Sequence, residues 1–367
     1  LRRDALSHVA RGSEGAMYFQ WRASVAGAEK FHSAMVPHGC TGTRIFREVC
    51  ALGADIRALA EVAGSTVTTP PVAILLDYEN LWASRLPAHP SADLDCEAEL
   101  KRWYAALWRA GVGVDFAHPA ADLSGYRLVL APALYLLTDA GLANLGSYVD
   151  GGGTLVAGPF FAVVDGHDHV RPARTDDLLG VAVEEILPLP AGGTAALADG
   201  TTATVWTESV HLCGAAVEAT YGDGAMDGYP DGPLAGAPAI TRRRDGAGTT
   251  WYLTARLDDA GLRRWLGRIL AAAGIAPTVS GLPSTVDAVR RGRYLFLVNH
   301  GADDVTVAAG GTDLLTGRRH TGEVELAAGS VAVIRCADGQ PASLDRELRS
   351  APLAADTGEA APTRPSC

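Results

Sequence analysis

Four short apolar runs between Val72 and Pro159, VAILLDY, VGVDFAH, RLVLAPAL and TLVAGP, are separated by segments of helical character or by turns. Of all features in this chain, that alternation most narrows the fold. The segment DCEAELKRWYAALWRAG turns Leu100, Trp103, Leu107 and Trp108 to one side, as a helix lying on a core does. TDAGLANLGSYVDGGG supplies Thr138 as an N-cap and Gly151 as a stop. DLSGY is a turn. Successive strand-helix units predict a parallel sheet with helices on both faces.

The flanks differ. Leu1 to about Val62 reads helix, strand, loop, helix, with GAMYFQW as the strand. RIFREVCALGADIRALAEV places Ile45, Phe46, Val49, Leu52, Ile56 and Leu59 on one stripe. One strand and two helices cannot bury a sheet, so this segment needs neighbours. Its polar opening, LRRDALSHVARGSEG, reads like the interior of a longer protein. GSTVTTPP is a linker ending in a Pro pair. From about Val181 to Ala255 Gly-rich hairpin signals dominate, including two strands around the turn in TRRRDGAGTTWYLTAR; Arg242 to Arg244 are expected at a solvated hairpin edge. The helix DDAGLRRWLGRILAAAGI and the boundary GLPS follow. Thr285 to Cys336 is a small all-β unit carrying RYLFLVNH, DVTVAA, GEVEL and SVAVIRC, and Ala337 to Cys367 is expected to be a disordered tail.

A chain of 367 residues has room for two or three domains. Its net charge of −11 argues against nucleic acid or an anionic membrane as partner, since both need a basic face. The six cysteines show no C-x-x-C spacing, so neither a zinc ribbon nor a disulfide framework is indicated, and thiols in a reducing compartment are expected. No apolar run reaches the roughly 18 residues of a membrane span, and no signal pattern opens the chain.

For chemistry, Glu29 and His32 stand three positions apart after the strand. A metal reading of E-x-x-H would need matching carboxylates on further helices, and no such set is evident. A capping Glu and a surface His form the plain alternative. The context favours more: a strand ending in Trp21 and followed by a polar loop is how a barrel strand presents its C-terminal end to a site. An indole face stacks on a pyranose, while carboxylate and imidazole grip vicinal hydroxyls. Elsewhere, Asp223, Asp227 and Asp231 lack the alternate spacing of a calcium loop and read as turns. His167 and His169 in DGHDH read as a solvated loop, and Gly151 to Gly153 end a helix where a dinucleotide cradle would open one.

MYFQWRASVAGAEKFHSAMVPHGC followed by RIFREVCALGADI resembles the last strand and helix of the catalytic barrel in glycoside hydrolase family 42, the β-galactosidases. The region from Val72 resembles that family's trimerisation domain, and the β unit from Thr285 its small C-terminal domain. The resemblance implies an α/β fold: the last strand and helix of a (β/α)8 barrel, a flavodoxin- or amidotransferase-like α/β trimerisation domain, and a small antiparallel β domain. The implied boundaries are 1–65, 70–277 and 284–336 (a β-sandwich), with 337–367 as the tail. It also implies a cytoplasmic homotrimer acting on galactosides, without cofactor or metal. Glu29 and His32 would bind galactose in the −1 subsite, with Trp21 and Phe19 lining the pocket. The family's retaining hydrolysis uses two glutamates whose carboxyls sit about 5 Å apart. Both come from earlier barrel strands, and only Asp4 and Glu14 precede this one, Glu14 in RGSEG at the wrong end of the strand. The catalytic pair is therefore expected to be absent and the chain alone inactive. The rival is a non-catalytic assembly or sugar-binding module. An amidotransferase-like enzyme is disfavoured, because no Cys follows RLVLAPAL and no G-x-S-x-G occurs.

Overall fold

Runs too apolar to face water on either side become the inner strands of the larger of two compact units. One unit is Thr69–Ala276; the other joins Leu1–Thr68 to the segment from Pro277. The structure, a computed structural model, describes residues 1–171, 176–226, 232 and 234–336. The expectations for Asp227, Asp231 and the tail lie outside those residues.

The chain begins with helices α1 (Arg2–Ala10) and α2 (Arg44–Ala58). There follow β1 (Val72–Leu75), α3 (Tyr78–Ala83), α4 (Cys96–Arg109), β2 (Val114–Ala117) and β3 (Leu128–Ala131), then α5 (Asp139–Asp150) and β4 (Thr154–Ala157). After a single turn, α6 (Asp176–Leu179), come β5 (Val181–Pro188), β6 (Thr194–Leu197), β7 (Thr202–Leu212) and β8 (Ala216–Met226). The larger unit closes with β9 (Pro238–Asp245), β10 (Gly248–Leu253), β11 (Ala255–Leu257) and α7 (Asp259–Ala272). The last five strands are β12 (Val286–Arg291), β13 (Tyr294–Asn299), β14 (Val305–Asp313), β15 (Arg319–Leu326) and β16 (Val331–Arg335).

In the larger unit one sheet runs β11-β7-β6-β8-β9-β10-β4-β3-β1-β2, with β5 beside β7. The expected parallel core is β2-β1-β3-β4, extended by β10 in parallel with β4. Alternate residues serve opposite faces. Val72, Ile74, Leu128 and Leu130 pack with Trp103 and Leu107 of α4 and Trp265 of α7. Ala73, Leu75, Val129 and Leu155 pack with Leu145 and Val149 of α5. Covering both faces is what a parallel sheet requires. The Thr138 hydroxyl caps α5 by accepting from Gly141 N, and Gly151 ends it. Trp108, expected inward, is half-buried.

The Arg242–Arg244 run departs from expectation. It lies on β9, an interior strand between β8 and β10, and so is not at an edge. Its charges are absorbed locally: Arg242 pairs with Glu218 at 2.8 Å and lies 5.3 Å from the Trp251 ring, and Arg243 pairs with Asp245. Gly248 opens β10 because a Cβ there would sit 1.9 Å from the Val149 carbonyl oxygen.

Cys96 is buried in the first turn of α4, just after the Asp95 cap, and burial pushes its thiol up to about 11. A raised pKa keeps the group protonated, so at pH 8 only about one thiolate in a thousand exists, since the reactive species is the thiolate. Iodoacetamide at pH 8 should therefore alkylate the exposed Cys40 and Cys50 while sparing Cys96, as read by peptide mass spectrometry. Equal labelling of all three would contradict the packing of α4.

The smaller unit is a five-stranded antiparallel sheet, β12-β13-β16-β14-β15. One face packs Leu295, Leu297, Val307, Val324 and Ile334 together. The other presents Tyr294, Phe296, Val298, Val331 and Val333 to Leu6, Val9 and Ala10 of α1 and to Leu59 and Val62 beyond α2. Segment 1–68 thus finds its neighbours on the β unit. The α2 stripe is buried only in its second half: Leu52 and Leu59 are covered, whereas Ile45 is 41% exposed. GAMYFQW, expected as a strand, is irregular and joins no ladder among the described residues. A barrel strand is held by the strands on either side of it, and among the described residues only the Met35–Val36 segment pairs with its end.

Candidate functional site

The loop between α1 and α2 carries all four sequence-nominated residues. Its two limbs are zipped by Met35 N donating to Gln20 O, Val36 N to Trp21 O and Ala23 N to Val36 O, at 2.7–3.0 Å. Ala23 and Val36 are buried at this junction. The excursion between the limbs is turned by Lys30 N donating to Gly27 O and His32 N to Glu29 O. That last bond, at 2.9 Å, spans the three positions separating Glu29 from His32 and keeps both on one turn. Thr43 ends the loop by accepting from Phe46 N as the cap of α2.

Two of the four side chains meet. The Phe19 and His32 rings stand edge to face with centroids 5.3 Å apart. The Phe19–Gln20 peptide bond is cis. Trp21 and Glu29 are exposed on the same loop. Sequence reasoning passed over the rest of the loop's apolar surface. Phe31 faces His38 at 6.4 Å and carries Lys30 Nζ 5.3 Å from its centroid, while Met17 and Val25 also project outward. The loop thus carries aromatic faces, the Glu29 carboxylate and the imidazoles of His32 and His38. Neither carboxyl upstream joins it. Asp4 meets the N-terminal amine, and both oxygens of Glu14 accept from Gly64 N at 3.3 Å while Glu14 also pairs with Arg291.

The remaining nominated groups belong to the larger unit. His167 and His169 are exposed, and their backbone N–H groups donate to the Asp165 carboxylate, holding it below the usual carboxylate range. After β3, where an amidotransferase-like enzyme would carry its nucleophile, no Cys stands. Ala133 adopts φ 45° and is 1% exposed.

With this geometry in view, comparison with known proteins is informative. The family described as "Beta-galactosidase trimerisation domain" matches residues 71–276, "Beta-galactosidase" matches 1–59 and "Beta-galactosidase C-terminal domain" matches 285–335. A beta-galactosidase of Arthrobacter sp is 45% identical over 341 residues, covering 90% of this chain and 47% of that protein. Beta-galactosidase LacZ of Heyndrickxia coagulans is 36% identical over 340 residues, covering 89% and 50%. Among solved structures, the beta-galactosidase from Bacillus circulans sp. alkalophilus superposes with a TM-score of 0.84 at 29% identity, covering 92% of this chain and 52% of that one. The chain spans about half the length of the curated relatives it matches.

Proposed function

The chain belongs to glycoside hydrolase family 42, matching the C-terminal portion of its β-galactosidases, and from that premise we propose that it serves as part of an enzyme hydrolysing terminal non-reducing β-D-galactose residues. In this reading residues 1–65 are the end of a (β/α)8 barrel, 70–277 the domain through which copies assemble as a homotrimer, and 284–336 the small C-terminal domain, a single antiparallel sheet where a β-sandwich is expected from sequence. One observation carries it. Met17, Phe19, Trp21, Val25 and Phe31 are 64–98% exposed on one loop that also bears Glu29 and His32, a surface chemically made to be covered.

The chemistry is a double displacement. One carboxyl protonates the glycosidic oxygen while a second attacks the anomeric carbon, and water then releases the sugar with retention. Neither carboxyl comes from this chain. The loop's part is to hold the galactose ring: Glu29 accepts from ring hydroxyls, His32 shares a proton with a neighbouring hydroxyl, and Trp21 stacks on the apolar face. Phe19 fixes the imidazole by its edge contact. Hydrogen bonds that tighten as the ring flattens raise kcat, whereas those made equally in the bound sugar only lower KM. The thiol state of the five described cysteines suits a reducing, cytoplasmic setting. A stand-alone assembly or sugar-binding module is not favoured, because the matched relatives are named as enzymes.

The purified 367-residue chain is expected to give no hydrolysis of nitrophenyl β-D-galactoside; measurable turnover would refute the missing-carboxyl argument. Fusing it to the half of the Arthrobacter relative that it does not cover should restore turnover. In that fusion Glu29→Ala or His32→Ala should each lower kcat/KM by roughly a hundredfold or more, as losing a charge-assisted contact to the reacting sugar does. Wild-type rates in both variants would sink the subsite assignment while leaving family membership intact.

A further inference from the structure

The larger unit exposes an ordered apolar stripe that folding does not use. Tyr78 and Trp82, on successive turns of α3, are each 64% exposed, with ring centroids 6.4 Å apart. Leu86, four residues on, is 51% exposed. The opposite side of the same short helix is fully occupied. Asn80 Oδ1 accepts from Leu136 N at 2.9 Å, Leu81 joins the main core, and Ala83 packs in a cluster with Tyr135 and Trp206.

The stripe is also held in place. Buried Asp77 caps α3 by accepting from Glu79 N, the Ser84 hydroxyl donates to Leu81 O, and Leu86 N donates to Ala83 O. Two large aromatics on a capped helix lose little freedom when covered, which favours association. Beside them lies a mixed-charge cluster: Arg85 pairs with Glu97, which also binds Lys101 at 2.7 Å. An apolar centre with aromatic anchors and a charged rim is the anatomy of a protein interface. The other large exposed side chains described in this unit, Phe116, Val170, Leu212 and Val217, lie on separate elements or loops.

We propose that the Tyr78–Trp82–Leu86 stripe is the surface through which copies of this chain meet. The occupant is a second copy, because the stripe lies within the residues matched by the family described as a trimerisation domain. The proposal rests on the self-association reading above and adds where the contact is made. In a closed ring the stripe either meets its own copies around the axis or docks on a different face of the neighbour; both place these aromatics out of water.

The test is sedimentation velocity of the full chain at micromolar concentration, for wild type and Tyr78→Glu/Trp82→Glu. The wild type should sediment as an oligomer and the double variant as a monomer with an unchanged melting temperature, since both side chains are exposed. Trp82→Ala adds no charge and should weaken association by at least about thirtyfold, the loss expected of a central aromatic anchor; it also decides the matter if the double variant fails to fold. A wild-type oligomer that both folded variants retain would overturn the stripe while sparing self-association. A monomeric wild type would overturn both.

Discussion

Replacing Arg291 by Met should cost about 3–5 kcal/mol of stability, the penalty for leaving several partners of a buried cation unpaired. Arg291 ends β12 and is 1% exposed. Its guanidinium donates to Val9 O at 2.7 Å, Ser13 O at 3.1 Å and Ser65 O at 3.4 Å, and pairs with Glu14. The planar fork reaches acceptors on both sides of the first loop at once, which a methionine of similar length cannot do. Hydrogen exchange read by mass spectrometry should show residues 1–14 losing protection together with β12, while the parallel strands of the other unit are unchanged. Arg291→Lys should recover only part of the loss, since an ammonium satisfies fewer acceptors. A cost below about 1 kcal/mol for Arg291→Met, the range of surface charges, would show that this side chain holds nothing together.

That contact also explains why the sequence reading stopped short here. By sequence Glu14 stands at the wrong end of a strand, and its partner lies 277 positions away on β12. VDAVRR was not read as a strand, because Asp287, Arg290 and Arg291 break its apolar pattern. Asp287 pairs with Arg11 and Arg291 is buried, so the polar positions are tertiary contacts and carry no local signal. The parallel core was readable for the opposite reason. Its inner strands β1, β3 and β4 are buried on both faces and each helix between them is capped within a few residues, so local pattern and global fold agree. YENLWA was missed because six residues are too few for periodicity to declare a helix, and Tyr78 looked like the end of the preceding strand. In the candidate site the Glu29–His32 spacing was informative because a turn joins them. Whether GAMYFQW forms a ladder depends on the strands beside it, which no local pattern in those seven residues can decide.

Glu208→Ala should be the most damaging single truncation in the larger unit, costing about 4–5 kcal/mol through unpaired buried donors and a cavity. Glu208 lies on β7 and is fully buried. One carboxylate oxygen accepts from Phe160 N at 2.9 Å and from Trp206 Nε1 at 3.0 Å; the other accepts from the Tyr252 hydroxyl. These donors come from the loop after β4, from β7 itself and from β10, so one side chain ties three parts of the sheet. Phe160 has φ 63°, a left-handed conformation that costs a non-glycine residue about 1 kcal/mol or more and persists only where the surroundings impose it. The bond from its N–H to Glu208 and its stacking on Tyr135 at 4.7 Å supply that constraint. Glu208→Gln separates the contributions. The amide oxygen can still accept from both N–H groups, but its NH2 must donate to a tyrosine hydroxyl that formerly donated to the carboxylate. A cost of about 1–2 kcal/mol, near that of one disturbed hydrogen bond, is therefore expected in urea unfolding. If the amide were as damaging as the alanine, charge would be the essential property; if neither mattered, the aromatic cluster would stand by packing alone.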